Sequence, residues 1–203
     1  MELPSDCQYI EAFLDATAAE RYLREVVTAI DYVKPRLQYS IFGKVVSLPR
    51  DKAFRADFEK DGSHPVYRYN GKQPPYPKYL PMEPVLLDLR DKVTAATGQR
   101  CNSCVVNFYQ KGKDKIGYHH DKVWDFEEGS SVCTVSLGEC RRFRLKRVGA
   151  SASIGLDLSP GSLFVLGWDT NQAYRHAIMP TSQDVAPRVS LTYRHIATRN
   201  TDL

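Results

Sequence analysis

CVVNFYQ (104–110), SVCTVSL (131–137), RRFRLKR (141–147), IGLDL (154–158), SLFVLG (162–167), YRHAIM (174–179) and PRVSLTYRHI (187–196) decide the fold. Each run is short and rich in β-branched or aromatic residues, and Gly, Pro, Ser and Asp separate them. That spacing predicts an antiparallel sandwich or jelly roll. Upstream the period changes. From Asp15 to Ile30 the pattern is helical, with Asp15 placed as an N-cap and Tyr22, Leu23, Val26, Val27 and Ile30 on one face. A second helix is expected from Glu83 to Thr97, closed by Gly98. Residues 31–83 are dense in Pro, Tyr and Lys, with two extended stretches, LQYSIFGKVV (37–46) and VYRYNG (66–71). These read as ordered loops and hairpins, the places where substrates are met. The expected class is α+β, mainly β, as one domain over 1–203: helices and recognition loops over 1–98, and the strand-rich core over 99–198.

A chain of 203 residues can bury one sizeable core. No apolar run approaches a membrane span, and MELPSDC lacks the basic-then-apolar order of a secretory signal. The expectation is an intracellular monomer with no membrane partner, its compartment left open between nucleus and cytoplasm. The formal charge of +4 leans mildly toward a polyanionic partner. Five cysteines, an odd count, argue against a disulfide framework. Cys101 and Cys104 have the spacing of a zinc half-site, but no second pair follows, so buried thiols in a strand are the preferred account.

His119 and Asp121, in IGYHHDK (116–122), lie two apart in extended chain and so leave one face together, with His120 pointing the other way. H-x-D alone is a weak signal, because His–Asp pairs occur in many cores. A third ligand must come from elsewhere. His64 precedes a proline in the loop-rich region, and His195 shares a face with Val189, Leu191 and Tyr193. His176 is the one inside an expected core strand. Two imidazoles and a carboxylate suit Fe(II) with positions left open for a bidentate cosubstrate and oxygen, although zinc tolerates the same set. In APRVSLTYR (186–194), alternation sets Arg188, Ser190, Thr192 and Arg194 on one face. Two inward arginines need anions. A bound dicarboxylate gripped by a guanidinium fork supplies them; surface acids such as Asp169 or Asp184 are the competing account. Asn107 and Tyr109 share a face in the same way and offer neutral hydrogen bonds. In RRFRLKR, Phe143 and Leu145 face inward, while Arg142, Arg144 and Lys146 form an outward cationic row. That row is either a phosphate contact or a solvated strand face.

These residues resemble the AlkB-type Fe(II)/2-oxoglutarate-dependent dioxygenases. NFYQKGKDKIGYHHD (107–121) is similar to that family's N-x-Y-x-x-G-x-D-x-I-G-x-H-x-D element, and APRVSLTYR to its closing R-x-S/N-x-T-x-R element. His176 falls at the second iron histidine, while TVSLGECRRFRLKR (134–147) and GSLFVLG (161–167) fit the strands between. The resemblance covers about residues 40 to 196 and is strongest to a mammalian branch that repairs duplex DNA. It implies a double-stranded β-helix (jelly roll) with N-terminal helices and a nucleotide-recognition hairpin region. It also implies Fe(II), 2-oxoglutarate and O2 as cofactors, with His119, Asp121 and His176 on the iron. Arg188 would bind the distal carboxylate of 2-oxoglutarate with Asn107, Tyr109 and Ser190 nearby, and Arg194 would lie at the keto-acid end. Ile41, Phe42 and Gly43 would form a wedge into the base stack, and Tyr67 and Tyr69 would lie by the extruded base, with Tyr69 and His119 flanking its ring. The implied activity is oxidative demethylation of bases of the N1-methyladenine and N3-methylcytosine type in DNA or RNA. A hydroxylase of a protein, lipid or small molecule is the alternative. Three departures stand out: Val123 where the family commonly has an acid, no basic run in PTSQDV (180–185), and a short segment after RRFRLKR.

Overall fold

The computed structural model describes residues 2–33, 36–41, 44–68 and 76–202, with backbone alone at 39–41 and 44. Its elements run β1 (Gln8–Ile10), α1 (Ala16–Ala29), β2 (Gln38–Ile41), β3 (Lys44–Ser47), β4 (Asp51–Ala56), β5 (Leu80–Pro81), α2 (Pro84–Thr97), β6 (Ser103–Tyr109), β7 (Ile116–His119) and β8 (Val132–Gly138). They continue through β9 (Arg141–Arg147), β10 (Ile154–Leu158), β11 (Leu163–Leu166), α3 (Trp168–Ala173), β12 (Tyr174–Ile178) and β13 (Arg188–Arg194) to a short 3₁₀ turn. Seven strands form a major sheet in the order β1-β11-β8-β13-β6-β4-β5, and four form a minor sheet, β10-β9-β12-β7. β2 and β3 make a separate hairpin. The expected jelly roll is present.

Three layers follow from which side chains alternate inward. Tyr22 and Val26 of α1 and Leu86, Leu89 and Val93 of α2 cover the outer face of the major sheet, on Cys104, Val106, Leu137, Leu191 and Tyr193. The inner face packs on the minor sheet: Phe54, Val105 and Phe164 meet Phe143, Leu145 and Ile178, with the Phe143 and Phe164 rings 4.9 Å apart. Asp15 caps α1 by accepting the Ala18 N–H at 2.8 Å. α2 begins with Pro84 and ends at Gly98, which takes φ +70° and donates its N–H to Thr94. Val27 departs from the expected buried face of α1: it is exposed. Positions 23 and 27 fall at the edge of the stripe and border a surface groove with Phe108 and Pro160. Cys101 and Cys104 are buried free thiols, Cys104 within β6 and Cys101 just before it.

Three strands are absent from the sequence reading: the short β1 and β5, and β4. DKAFRA of β4 is buried at every position despite three charged residues. Each charge has a reason. Asp51 accepts from Arg36 Nε at 2.8 Å, Arg55 donates to Glu83 at 2.7 Å, and Lys52 turns into the cavity between the sheets. The expected extended stretch VYRYNG forms no named strand over its described part, residues 66–68; Pro65 just before it makes an isolated bridge to Arg199.

Candidate metal centre and cosubstrate cavity

The antiparallel pairing of β12 with β7 sets His176 directly opposite His119, and their ring centroids are 4.2 Å apart. Asp121 lies just beyond the end of β7. Ligand atoms of the three residues all fall within 4.8 Å of one another. His119 Nδ1 sits 2.8 Å from the Gly117 carbonyl, so Nδ1 carries the proton and Nε2 presents its lone pair. Asp121 Oδ2 accepts from Arg194 Nη2 at 2.7 Å and Nε at 3.1 Å, while Oδ1 faces His119 Nε2 at 3.8 Å. One carboxylate oxygen is thereby anchored and the other left toward the shared centre.

Electrostatics put all three groups in the protonation state a cation needs. Burial would raise the Asp121 carboxyl, but Arg194 and the two imidazoles outweigh it and hold it below the ordinary carboxylate range. Burial, then His119, pushes His176 down to about 3, and burial likewise lowers His119. Both imidazoles stay neutral at physiological pH.

Strand registers arrange the cavity beside this cluster in rows across the major sheet. Lys52 lies opposite Asn107, which lies opposite Ser190, which lies opposite Ser136. One row along, Arg188 lies opposite Tyr109. Arg188 is fully buried; Nη2 donates to Ser136 Oγ at 2.9 Å and its guanidinium stands 5.2 Å from the Tyr109 ring centre. Its Nε and Nη1 have no partner among the described residues. Buried guanidinium donors left without acceptors are costly, and a carboxylate supplies a bidentate match. Asn107 Oδ1 accepts from Arg50 Nε at 2.9 Å, which leaves its Nδ2 as a donor. The donor set therefore fits a cation at the triad and a carboxylate at Arg188, both inside one cavity. The competing account, pairing with Asp169 or Asp184, does not occur: Arg194 pairs with Asp121.

A profile of the 2OG-Fe(II) oxygenase superfamily matches residues 6–194. The chain belongs to that superfamily. It is 34% identical over 200 residues to the human DNA oxidative demethylase ALKBH2, covering 94% of this chain and 73% of that protein. It is 25% identical over 122 residues to the human alpha-ketoglutarate-dependent dioxygenase alkB homolog 3, covering 56% and 43%. Among solved structures, OsALKBH1 superposes with a TM-score of 0.63 at 17% identity, over 96% of this chain and 100% of that one. This 2OG-Fe(II) oxygenase is thus an AlkB-type dioxygenase using Fe(II), 2-oxoglutarate and O2. No helix among the described residues is long and apolar enough to cross a membrane.

Beyond the triad an open cleft of about 450 Å³ continues the oxygenase's cavity, lined by Arg50, Tyr67, Lys115, Tyr118, His119, His120 and Lys122 among others. Tyr67 is buried, its hydroxyl accepts the Lys122 N–H at 3.0 Å, and its ring stands edge-on to Phe126. Phe42, Gly43 and Tyr69 lie outside the described residues, and Ile41 is described in backbone only, at the end of β2. Arg142 and Arg144 point outward on β9, as alternation required; Arg142 pairs with Asp157 at 2.9 Å and Arg144 donates to Ser153 at 3.0 Å.

Three contributors were not found in the sequence. Asn171, buried on α3, accepts the Asp121 N–H and donates to the Asp121 carbonyl, each at 2.9 Å. Arg141 spends its Nη2 on the carbonyls of Gly112, Asp114 and Met179 and so fixes the loop before β7. Lys52 lines the cavity, and burial, followed by Arg50 and Arg194, drives its ammonium well below the ordinary lysine value. Only the H-x-D and R-x-S-x-T-x-R elements carried a local signal; these three act across strands distant in sequence.

Proposed function

We propose that this protein oxidatively demethylates N-alkylated bases of nucleic acid. His119, Asp121 and His176 hold the iron in this reading, and Arg188, Tyr109, Asn107, Ser190 and Arg194 seat 2-oxoglutarate. The observation that carries it is the meeting of a neutral-imidazole and carboxylate triad with a buried, donor-rich arginine in a single cavity. Relatives named as DNA oxidative demethylases, matched along nearly the whole chain, supply the substrate class.

Ferrous iron and 2-oxoglutarate, when bound, supply the oxidation: one oxygen atom of O2 enters succinate as CO2 leaves, and the other is inserted into a C–H bond of the N-methyl group. The resulting N-hydroxymethyl group releases formaldehyde as its C–N bond breaks; that electron pair returns to the ring nitrogen as its lone pair, and the hydroxyl proton leaves to solvent. The chain's own residues position and shield. Arg194 keeps Asp121 ionised and fixes one of its oxygens, and Asn171 fixes that residue's backbone. Arg188 sets the depth of the cosubstrate through its distal carboxylate. Tyr67, with Tyr69 and His119, borders the place of the flipped base, where an aromatic face compensates for lost stacking. Ile41, Phe42 and Gly43 fill the gap left in the stack in this reading, offsetting unstacking that costs about a few kcal/mol. Arg142 and Arg144 reach phosphates from the outer face of the minor sheet. The reading places the enzyme inside the cell as a monomer.

The test is incubation of purified protein with Fe(II), 2-oxoglutarate and a panel of methylated oligonucleotides. The expected result is loss of one methylene mass per succinate formed, abolished by Asp121→Ala. Succinate without any change in oligonucleotide mass would move the substrate to a protein, lipid or metabolite.

A further inference from the structure

The segment that carries His119 and Asp121 has a second face. Burial alternates along it and past the end of β7. His119 and Asp121 line the cavity, Val123 packs against the core and Asp125 is buried. The residues between them turn outward: Tyr118 and Trp124 are 41% and 38% exposed, Lys122 is exposed and His120 is half-buried. The outward row thus reads Tyr, His, Lys, Trp. Lys122 Nζ donates to His120 Nε2 at 3.2 Å and stands 5.8 Å from the centre of the Trp124 ring. Tyr118, His120 and Lys122 form one wall of the outer cleft, and Trp124 follows just beyond it.

The rest of this side of the minor sheet is cationic. Because His176 pairs with His119 in an antiparallel register, Arg175 faces outward and falls beside His120. Arg175 in turn lies opposite Lys146, and Arg144 stands outward two residues before it on β9. Asp157 is the one acid within the four strands of this sheet, and Arg142 holds it at 2.9 Å. A cationic field therefore runs from β9 across β12 to the ring-bearing row at the mouth of the cleft.

Rings interleaved with cations match a polymer that offers free base faces and phosphates together, which is unpaired nucleic acid. A paired duplex presents the phosphates but keeps its base faces stacked on one another. A protein partner would call for a contiguous apolar patch, and here an imidazole and an ammonium separate the two rings. We propose that Tyr118 and Trp124 stack the unpaired bases beside the lesion, so that the enzyme prefers single-stranded or locally opened DNA to paired duplex. The proposal rests on the nucleic-acid substrate of the reading above. It gives the outer face of the iron-binding segment the task of holding the neighbours while the inner face meets the lesion.

The experiment compares one DNA sequence carrying N1-methyladenine as a single strand, as a full duplex, and as a duplex with a short bubble around the lesion. Affinity for the chain loaded with Mn(II) and 2-oxoglutarate is read by anisotropy, and methyl removal is followed in parallel with Fe(II). Tryptophan fluorescence reports on the surface itself, because the chain has two tryptophans and the other, Trp168, packs against the core. The single strand and the bubble are expected to bind about tenfold more tightly than the duplex and to quench Trp124. Tyr118→Ala and Trp124→Leu should each weaken single-strand binding about tenfold and change duplex binding by less than about twofold. Trp124→Phe keeps a ring, so it should retain affinity while losing the quench. Melting temperatures check that each variant is folded. Equal affinity for single strand and duplex, or variants that weaken all three DNAs alike, overturn the platform and leave dealkylation standing wherever methyl groups are lost. Tight, quenched binding of the single strand without methyl loss overturns dealkylation and leaves the platform. Binding to none of the three overturns both.

Discussion

Arg188→Met should raise the stability of the cofactor-free protein while removing most of its affinity for 2-oxoglutarate. The native guanidinium is fully buried and makes one hydrogen bond, to a neutral hydroxyl at 2.9 Å. Its Nε and Nη1 have no partner among the described residues, and burial and the neighbouring Arg141 both act against its charge. Each unsatisfied buried donor costs about 1–3 kcal/mol. Methionine fills similar volume with no polar atom, so the apo protein should gain roughly 1–4 kcal/mol, less the lost contact with the Tyr109 ring. Loss of charge-assisted bonds to a carboxylate costs the complex about 1.5–3 kcal/mol apiece. Two such bonds correspond to a KM for 2-oxoglutarate higher by roughly a hundredfold or more. Thermal melts with and without cosubstrate, alongside succinate release against its concentration, give both numbers. A variant with unchanged KM, or one whose apo form melts below the parent, would refute the reasoning that Arg188 is kept for its ligand at the expense of the fold.

Asn171→Ala leaves the buried Asp121 N–H and carbonyl without partners; metal affinity should fall about 10–100-fold while the cosubstrate KM at saturating metal stays near its parent value, both read by titration. Arg36 bridges Asp51 at 2.8 Å and Asp114 at 3.4 Å at the base of the β2–β3 hairpin. Arg36→Gln leaves two buried carboxylates with their main cation removed. A loss of roughly 2–4 kcal/mol in urea unfolding is expected, held to that range because Arg36 is itself partly exposed. Acid should destabilise the metal-free protein in two stages. His176 is lowered to about 3 from an ordinary 6.5, so between those values the unfolded chain binds the extra proton and stability drops as pH falls. Asp121 is lowered from 3.8, so its contribution is present above that value and is lost on further acidification. Melting temperature against pH should slope less in His176→Gln, and an unchanged slope would count against neutral burial of that imidazole.

Much of the core was legible because its signals are local. The alternation in β13 placed Arg188, Ser190, Thr192 and Arg194 on the cavity side without any partner in view, and Gly98 ended α2 where its αL preference required. The triad was found as two pieces, H-x-D and His176, which the β7–β12 register then joined. β4 was hidden because Asp51, Lys52 and Arg55 break up its apolar pattern inside a stretch read as ordered loops and hairpins; what buries them is Arg36, Glu83 and a cavity, none adjacent in sequence. Asn171 was hidden likewise, since its amide serves a backbone fifty residues away. Val27 erred in the opposite direction: helical period marks a stripe but not where the covering sheet ends.

Diffraction from crystals grown with Mn(II) and 2-oxoglutarate, read at the manganese edge, tests the centre most directly. The account predicts an anomalous peak about 2.0–2.3 Å from His119, Asp121 and His176. The same peak should lie on the keto-acid end of a dicarboxylate whose far end meets Arg188. A peak at other ligands, or a dicarboxylate bound away from Arg188, would contradict it.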